Sequence, residues 1–441
     1  MTAPGGSAAF RIAGGLALPV AVAVPGLVVR ITGIPLAAPV AAVTFAAAVV
    51  GAAFLLTWGA ELAEIDLGEG LALALLALIA VLPEYAVDVV FAWKAGQDPQ
   101  QYAPLALANM TGANRLLIGV GWSVVALITV RVMRRRASGT GVPAARAVQL
   151  RPVQVVEVVF LAIASIYALT LALRPSLTWI DAVVLFAIFA AYLWRVRSAS
   201  RPGDGGEDAE HEDEDEDASE LFGPASRVAG LSKAPRRGLT IFMLVAAATI
   251  IVLVAEPFAD SLVETGSALH VDKFLLVQWV APLASETPEF IAVILLAMKL
   301  QGASALGALI SSKINQWTLL VGILPLVFAV SSGSLSGLPV DVEQREELLL
   351  TAAQSVFAIA LILPGRLTSR GAWTLLTLFL AQFLAAWLLP ADLRGAERLW
   401  FSGAYLVLAV LLVVRHRSAL HRVFVTGLRR PPAPARPEGD A

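Results

Sequence analysis

Pro83-Glu84-Tyr85 and Pro288-Glu289-Phe290 each set a carboxylate directly behind a proline inside a long apolar stretch. An ionised side chain at bilayer depth is costly, so an acid in such a position marks a site rather than packing. Here the feature is doubled, and its surroundings are doubled with it. Ala92 and Lys94 follow the first glutamate at the offsets at which Ala297 and Lys299 follow the second. Further on, Leu116-Leu117-Ile118-Gly119 and Leu319-Leu320-Val321-Gly322 close a second, polar-spotted segment in each half. Paired buried acids in a duplicated frame suit cation ligation or proton carriage, the chemistry of a transporter built from internal repeats.

Proline removes one backbone donor, bends or breaks its helix, and frees a carbonyl one turn back that can join the carboxylate as an oxygen ligand. In the second half Ser285-Glu286-Thr287 adds oxygens, with Ser285 one turn from Glu289 on the same face. The equivalent stretch in the first half, Ala80-Val81-Leu82, adds none, and Asp88 lies one turn after Glu84 instead. The second segments contribute Asn109 and Asn114 from the first half, and Ser312 and Gln316, which share a face, from the second. Arg115 and Lys313 are cations among these groups, and pairing with the acids would make them charge-compensating. The expected ion-binding set is therefore Glu84, Glu289, Ser285, Ser312, Asn109, Asn114, Glu286, Gln316 and Asp88, with Glu84 and Glu289 as the metal ligands.

The elements that hold these groups follow from composition. Of the 441 residues 58% are hydrophobic and 15% charged, and the mean hydropathy is +0.77, which excludes a water-soluble protein of this size. The apolar runs match the roughly 20 residues that a helix needs to cross the hydrocarbon, and without sustained alternation they exclude a β-barrel. About twelve transmembrane helices are expected, among them 69 to 93, 103 to 130, 271 to 298 and 303 to 329. The N-terminal run, about 12 to 33, reads as a membrane helix rather than a signal peptide, because no clear small-residue cleavage site follows it. Residues 198 to 237, with the acidic run Glu207 to Glu220, read as a disordered cytoplasmic linker.

Basic residues orient the chain. The loop after the fourth span carries Arg131, Arg134, Arg135, Arg136, Arg146 and Arg151 with no acid, so it is expected in the cytoplasm. Alternation then puts both termini inside and Asp260 and Glu264 in an outside loop. The Glu84 helix runs outward and the Glu289 helix inward, which makes the repeats inverted. Alanine- and arginine-rich composition suggests a high-GC bacterium and a plasma (inner) membrane.

At these residues the chain resembles the sodium/calcium exchanger superfamily. That family's two inverted repeats each carry a Gly-Thr-Ser-x-Pro-Glu helix and a Gly-Asn-x-x-Gly-Ser-Asn-type helix. Pro83-Glu84 and Pro288-Glu289 match the first motif; Asn109, Gly112, Asn114 and Ser312 match parts of the second. Departures are Ala80-Val81 and Ser285-Glu286 for Thr-Ser, Gly112-Ala113 for Gly-Ser, and Lys313 where asparagine is usual. The resemblance implies an all-α polytopic fold of two inverted five-helix repeats, at 37 to 197 and 238 to 392, with an extra helix within 1 to 36 and another within 393 to 441. It also implies central cation ligation by the two glutamates.

The expected function is secondary active antiport by alternating access, Na+ or H+ moving against Ca2+ or Na+. Two carboxylates compensated by two bases would favour monovalent ions or protons. No cofactor is expected beyond the transported cations, and membrane lipid and inorganic cations are the expected partners, without nucleic acid. Cysteine is absent, HExxH is absent, and the four histidines lie outside the span centres, so an intramembrane hydrolase is the least favoured alternative. A channel or a non-transporting membrane protein with a structural acid-base network is the nearer one. No P-loop pattern is present, which argues against ATP-driven pumping.

Overall fold

The computed structural model describes residues 6–66, 82–138, 146–152, 154–199 and 224–428. The chain is a helical bundle of α1 (Gly6–Thr32), α2 (Ala38–Asp66), α3 (Leu82–Gln97), α4 (Pro99–Ala137), α5 (Gln154–Leu171) and α6 (Trp179–Ala199). The second part holds α7 (Pro224–Ala229), α8 (Lys233–Leu269), α9 (Lys273–Met298), α10 (Gly302–Ser332), α11 (Val342–Ile362), α12 (Ser369–Leu388), α13 (Ala391–Arg415) and α14 (Arg417–Leu428). Ten of the described helices are long and apolar enough to cross a bilayer. The expected span at 69 to 93 lies partly outside the described residues, as do Ala80, Val81 and most of the acidic linker. α11 has 21 residues, but its first turns, with Glu343, Arg345, Glu346 and Glu347, are too charged for it to count among the ten.

Polar caps start the helices. Asp98 accepts the Gln101 amide at 3.2 Å ahead of Pro99 in α4, and Asp272 accepts the Phe274 amide at 2.9 Å in α9. Asp341 and Thr368 do the same for α11 and α12 at 3.0 and 3.1 Å. Each satisfies a backbone donor that the helix cannot satisfy itself. Two expectations need correction here. Residues 233 to 237, read as linker, already form the first turn of α8, and Asp260 and Glu264, read as an outside loop, lie within the same helix. With 37 residues, α8 is about 55 Å long at 1.5 Å per residue. It therefore overshoots the hydrocarbon layer of about 30 Å.

Four short strands establish how the halves are related. In the first half α5 lies between β1 (Ala147–Gln149) and β2 (Ser176–Leu177); in the second α11 lies between β3 (Leu338–Pro339) and β4 (Arg366–Thr368). β1 pairs antiparallel with β4, Val148 opposite Leu367, and β2 with β3, Leu177 opposite Leu338. The strand entering one helix thus meets the strand leaving the other, at both ends. Packed α5 and α11 therefore run antiparallel, and the halves are inverted.

The second correspondence is within α4 and α10. Both contain a π-helical stretch, Leu117–Trp122 and Gln316–Leu320, at the Leu-Leu-x-Gly sequences that the halves share. Such bulges cost hydrogen-bond geometry and recur where a helix serves a site. Each glutamate helix packs on the partner helix of the opposite half as well as on its own, α3 on the Val321–Ser332 part of α10 and α9 on the Pro99–Leu116 part of α4.

Candidate functional site

The prolines act on α9 without breaking it, contrary to one of the two outcomes expected. Pro282 and Pro288 lie inside one continuous helix from Lys273 to Met298. Ser285 Oγ turns back to the carbonyls of Ala281 and Pro282, both at 3.3 Å, and Thr287 Oγ1 to that of Leu283. The carbonyl that Pro282 deprives of its amide belongs to Gln278, four residues back. It lies against Gly112 of α4, where a Cβ would come within 1.7 Å of it. The proline and the glycine together let two helices from opposite halves approach to backbone contact.

That approach brings the acids together. Glu84 from α3 and Glu286 from α9 are buried at 3% and 4% exposure, while Glu289 and Ser285 are half-buried. The carboxyls of Glu84, Glu286 and Glu289 line one small cavity. Gln316 Nε2, from α10, donates to Glu286 Oε1 at 2.7 Å and to Glu84 Oε2 at 3.4 Å, so one amide bridges carboxyls of both halves. Ser312 Oγ donates to Glu289 Oε2 at 3.3 Å. A cavity of about 20 Å³ lies between these groups, lined also by Pro83, Pro288, Ala53 and Thr57. A space of that size holds about one water-sized guest. Among the described residues no amide, hydroxyl or cationic donor reaches Glu84 Oε1 or Glu286 Oε2.

The remaining expected residues separate into three places. Asp88 and Asn109 form a buried pair beside Glu84, Asn109 Nδ2 donating to Asp88 Oδ1 at 2.8 Å. The second carboxyl oxygen of Asp88, Oδ2, and the amide oxygen of Asn109, Oδ1, receive no donor among the described residues. Asn114 is occupied with Lys313, whose Nζ donates to the Asn114 side-chain oxygen and, at 2.8 Å, to its backbone carbonyl. Fully buried over the Trp317 ring at 5.0 Å, Lys313 touches neutral oxygens and interacts electrostatically with Glu84 and Glu286.

Arg115 requires a correction. As a charge-compensating base it was expected to face the paired acids; instead its guanidinium donates to Glu347 Oε2 at 2.7 Å and to the Gln382 side-chain oxygen, stacked over Trp279 at 5.0 Å. Gln278 Nε2 donates to the same Glu347 oxygen at 3.0 Å. Its charge is spent on Glu347, so it does not compensate the paired acids, and the reckoning of two acids against two bases fails. Sequence reasoning missed Thr57, Gln278, Glu347 and Gln382. Thr57 was visible as a hydroxyl in an apolar span, but nothing local pairs Glu347 with a residue 232 positions away.

Although Glu84, Glu286 and Glu289 converge, among the described residues no three His, Asp or Glu side chains stand in metal-holding geometry. The family model described as sodium/calcium exchanger protein matches residues 36–197 and 239–415. A crystal structure of the H+/Ca2+ exchanger CAX is similar at 35% identity and a TM-score of 0.82, covering 96% of this chain and 98% of that one. The structure of native YfkE is similar in fold at 13% identity and a TM-score of 0.55, covering 87% of this chain and 99% of that one. No curated protein sequence matches. With the family's pattern found over both halves and two inverted repeats converging on paired glutamates, the chain belongs to the sodium/calcium exchanger family.

Proposed function

We propose that this cation/calcium antiporter exchanges Ca2+ for protons, with Glu84, Glu286 and Glu289 as the groups that hold either cargo in turn. The observation that carries the reading is the chain of carboxyls itself. Bare carboxylates packed this closely repel, so the closed arrangement, with all three carboxyls around one cavity of about 20 Å³, suits bound protons.

A calcium ion seeks six to eight oxygens. Carboxylates of Glu84, Glu286 and Glu289, with the Ser285 and Ser312 hydroxyls and water, would supply them once the protons leave and the carboxyls part. The similarity to an H+/Ca2+ exchanger supports protons over sodium as the counter-ion. Asp88 and Asn109, with their two donor-free oxygens, extend the polar track beyond Glu84 and suit a further proton station. The chain is read as a multi-pass protein of the plasma membrane with both termini cytoplasmic, its exchanger repeats at 37–197 and 238–392.

Proteoliposomes with calcium inside or outside and separate pH and sodium gradients test the reading. Calcium uptake should follow an imposed pH gradient with sodium absent, and a Glu84→Gln, Glu289→Gln double variant should lose it. Uptake that runs on a sodium gradient alone would replace protons by sodium. Equal uptake by wild type and double variant would remove the site.

A further inference from the structure

Away from the carboxyls, α5, α11, α13 and α14 leave a groove on the surface of the bundle. It encloses about 580 Å³ and is walled by hydrocarbon, including Val158, Ala162, Ile359 and Val413, with Ile166 exposed at its side. One end differs. Arg417 and His421 stand at the rim, and a second hollow of about 200 Å³ continues past Leu363 and Val423 to Arg422. Arg417 makes no hydrogen bond to another described residue, and Arg422 reaches back to Ser418 O of its own helix at 3.4 Å.

The rim sits in a uniformly basic setting. Segments 146–152 and 364–371 are joined by the β1 to β4 pairing, and 415–428 lies against them; together they contain seven arginines and no Asp or Glu. An apolar groove at bilayer depth ending in unpaired guanidinium groups at the membrane surface is complementary to one kind of molecule, with hydrocarbon chains at one end and a negative headgroup at the other. A second copy of the chain on this face would bring two arginine-rich rims together across a two-fold axis. A free phosphate would leave the hydrocarbon wall unfilled.

We propose that this groove is a site for an anionic glycerophospholipid, with its acyl chains along the α5, α11 and α13 wall and its phosphate held between Arg417 and Arg422. Bound there, the lipid fastens the amphipathic α14 to the bundle. The site is independent of which ions the carboxyls exchange.

The test uses the full chain in a neutral maltoside detergent, titrated with phosphatidylglycerol or phosphatidylcholine. Retained lipid is read by native mass spectrometry, and thermal stability is read alongside. Wild type should retain phosphatidylglycerol with a preference of at least fivefold. Replacing Arg417→Gln and Arg422→Gln should remove the preference at roughly fivefold per arginine, while Ala360→Phe, which fills the groove, should reduce retention of both lipids. Folding of each variant is checked by gel-filtration profile and by calcium uptake, which should stay at wild-type level. Equal retention of the two lipids by wild type would overturn the proposal. So would wild-type phosphatidylglycerol retention in both variants, or a dimer cross-linked across the groove that binds no lipid.

Discussion

At the scale of single residues, one of the three carboxyls at the cavity is not predicted by the duplicated motif. Glu286 lines that cavity with both paired glutamates and is the residue that Gln316 donates to at 2.7 Å. If it shares a proton with each, Glu286→Gln should lower the protons moved per calcium by about one, read from reversal potentials in proteoliposomes. An unchanged ratio would leave Glu286 as a packing residue. Arg115 and Glu347 make the opposite kind of pair, a buried ion pair at 2.7 Å in which Glu347 also lies 3.5 Å from Arg398. Glu347→Gln should strand a buried guanidinium and cost about 3 to 5 kcal/mol of stability. The double variant Arg115→Leu, Glu347→Leu should recover much of that loss, as measured by thermal unfolding in detergent. A single variant that unfolds no earlier than wild type would show the pair to be unimportant for stability.

Elements position these residues through close approach between halves. Gly112 allows α4 to seat on the Gln278 carbonyl, and a methyl group there would collide with backbone rather than with a flexible side chain. Gly112→Ala should therefore separate α4 from α9, with a cost of about 1 to 3 kcal/mol and a fall in calcium uptake. Gly403 of α13 has nothing within 4 Å of its Cβ position. Gly403→Ala should raise stability by up to about 1 kcal/mol through helix propensity alone. Similar melting temperatures for the two variants would contradict this account of the helix contact. The π-helical stretches belong to the same scale, since each turns α4 or α10 next to Asn114 or Gln316.

Across the whole molecule, α5 and α11 with their paired strands tie the two halves at both ends, while the glutamate helices meet between them. The chain has no cysteine, so a pair can be introduced without interference. Val148→Cys with Leu367→Cys joins residues directly opposite in β1 and β4. The disulfide should form on mild oxidation and leave calcium uptake within about twofold if this strand pair is a fixed frame during exchange. Loss of uptake restored by reduction would show that the strands part. Orientation has its own check. A single cysteine at Ser334 should be labelled by an impermeant maleimide in intact cells, and one at Ser418 only after the cells are permeabilised.

Much of this protein is legible in its linear sequence because the signals are local. Apolar runs of spanning length, a proline before each intramembrane acid and matched offsets in two halves are properties of neighbouring residues, and lipid admits few structures for them. The inverted arrangement also follows, since loop charge and span number determine it. Partner choice does not follow. Whether Arg115 meets Glu84 or Glu347 depends on which helix from the other half lies against its face of α4. Lys313 settles on neutral Asn114 for the same reason. Contacts between groups some two hundred residues apart are selected by packing and desolvation in three dimensions. The tertiary structure alone therefore decided that Glu84, Glu286 and Glu289 share one cavity while Lys313 turns to Asn114.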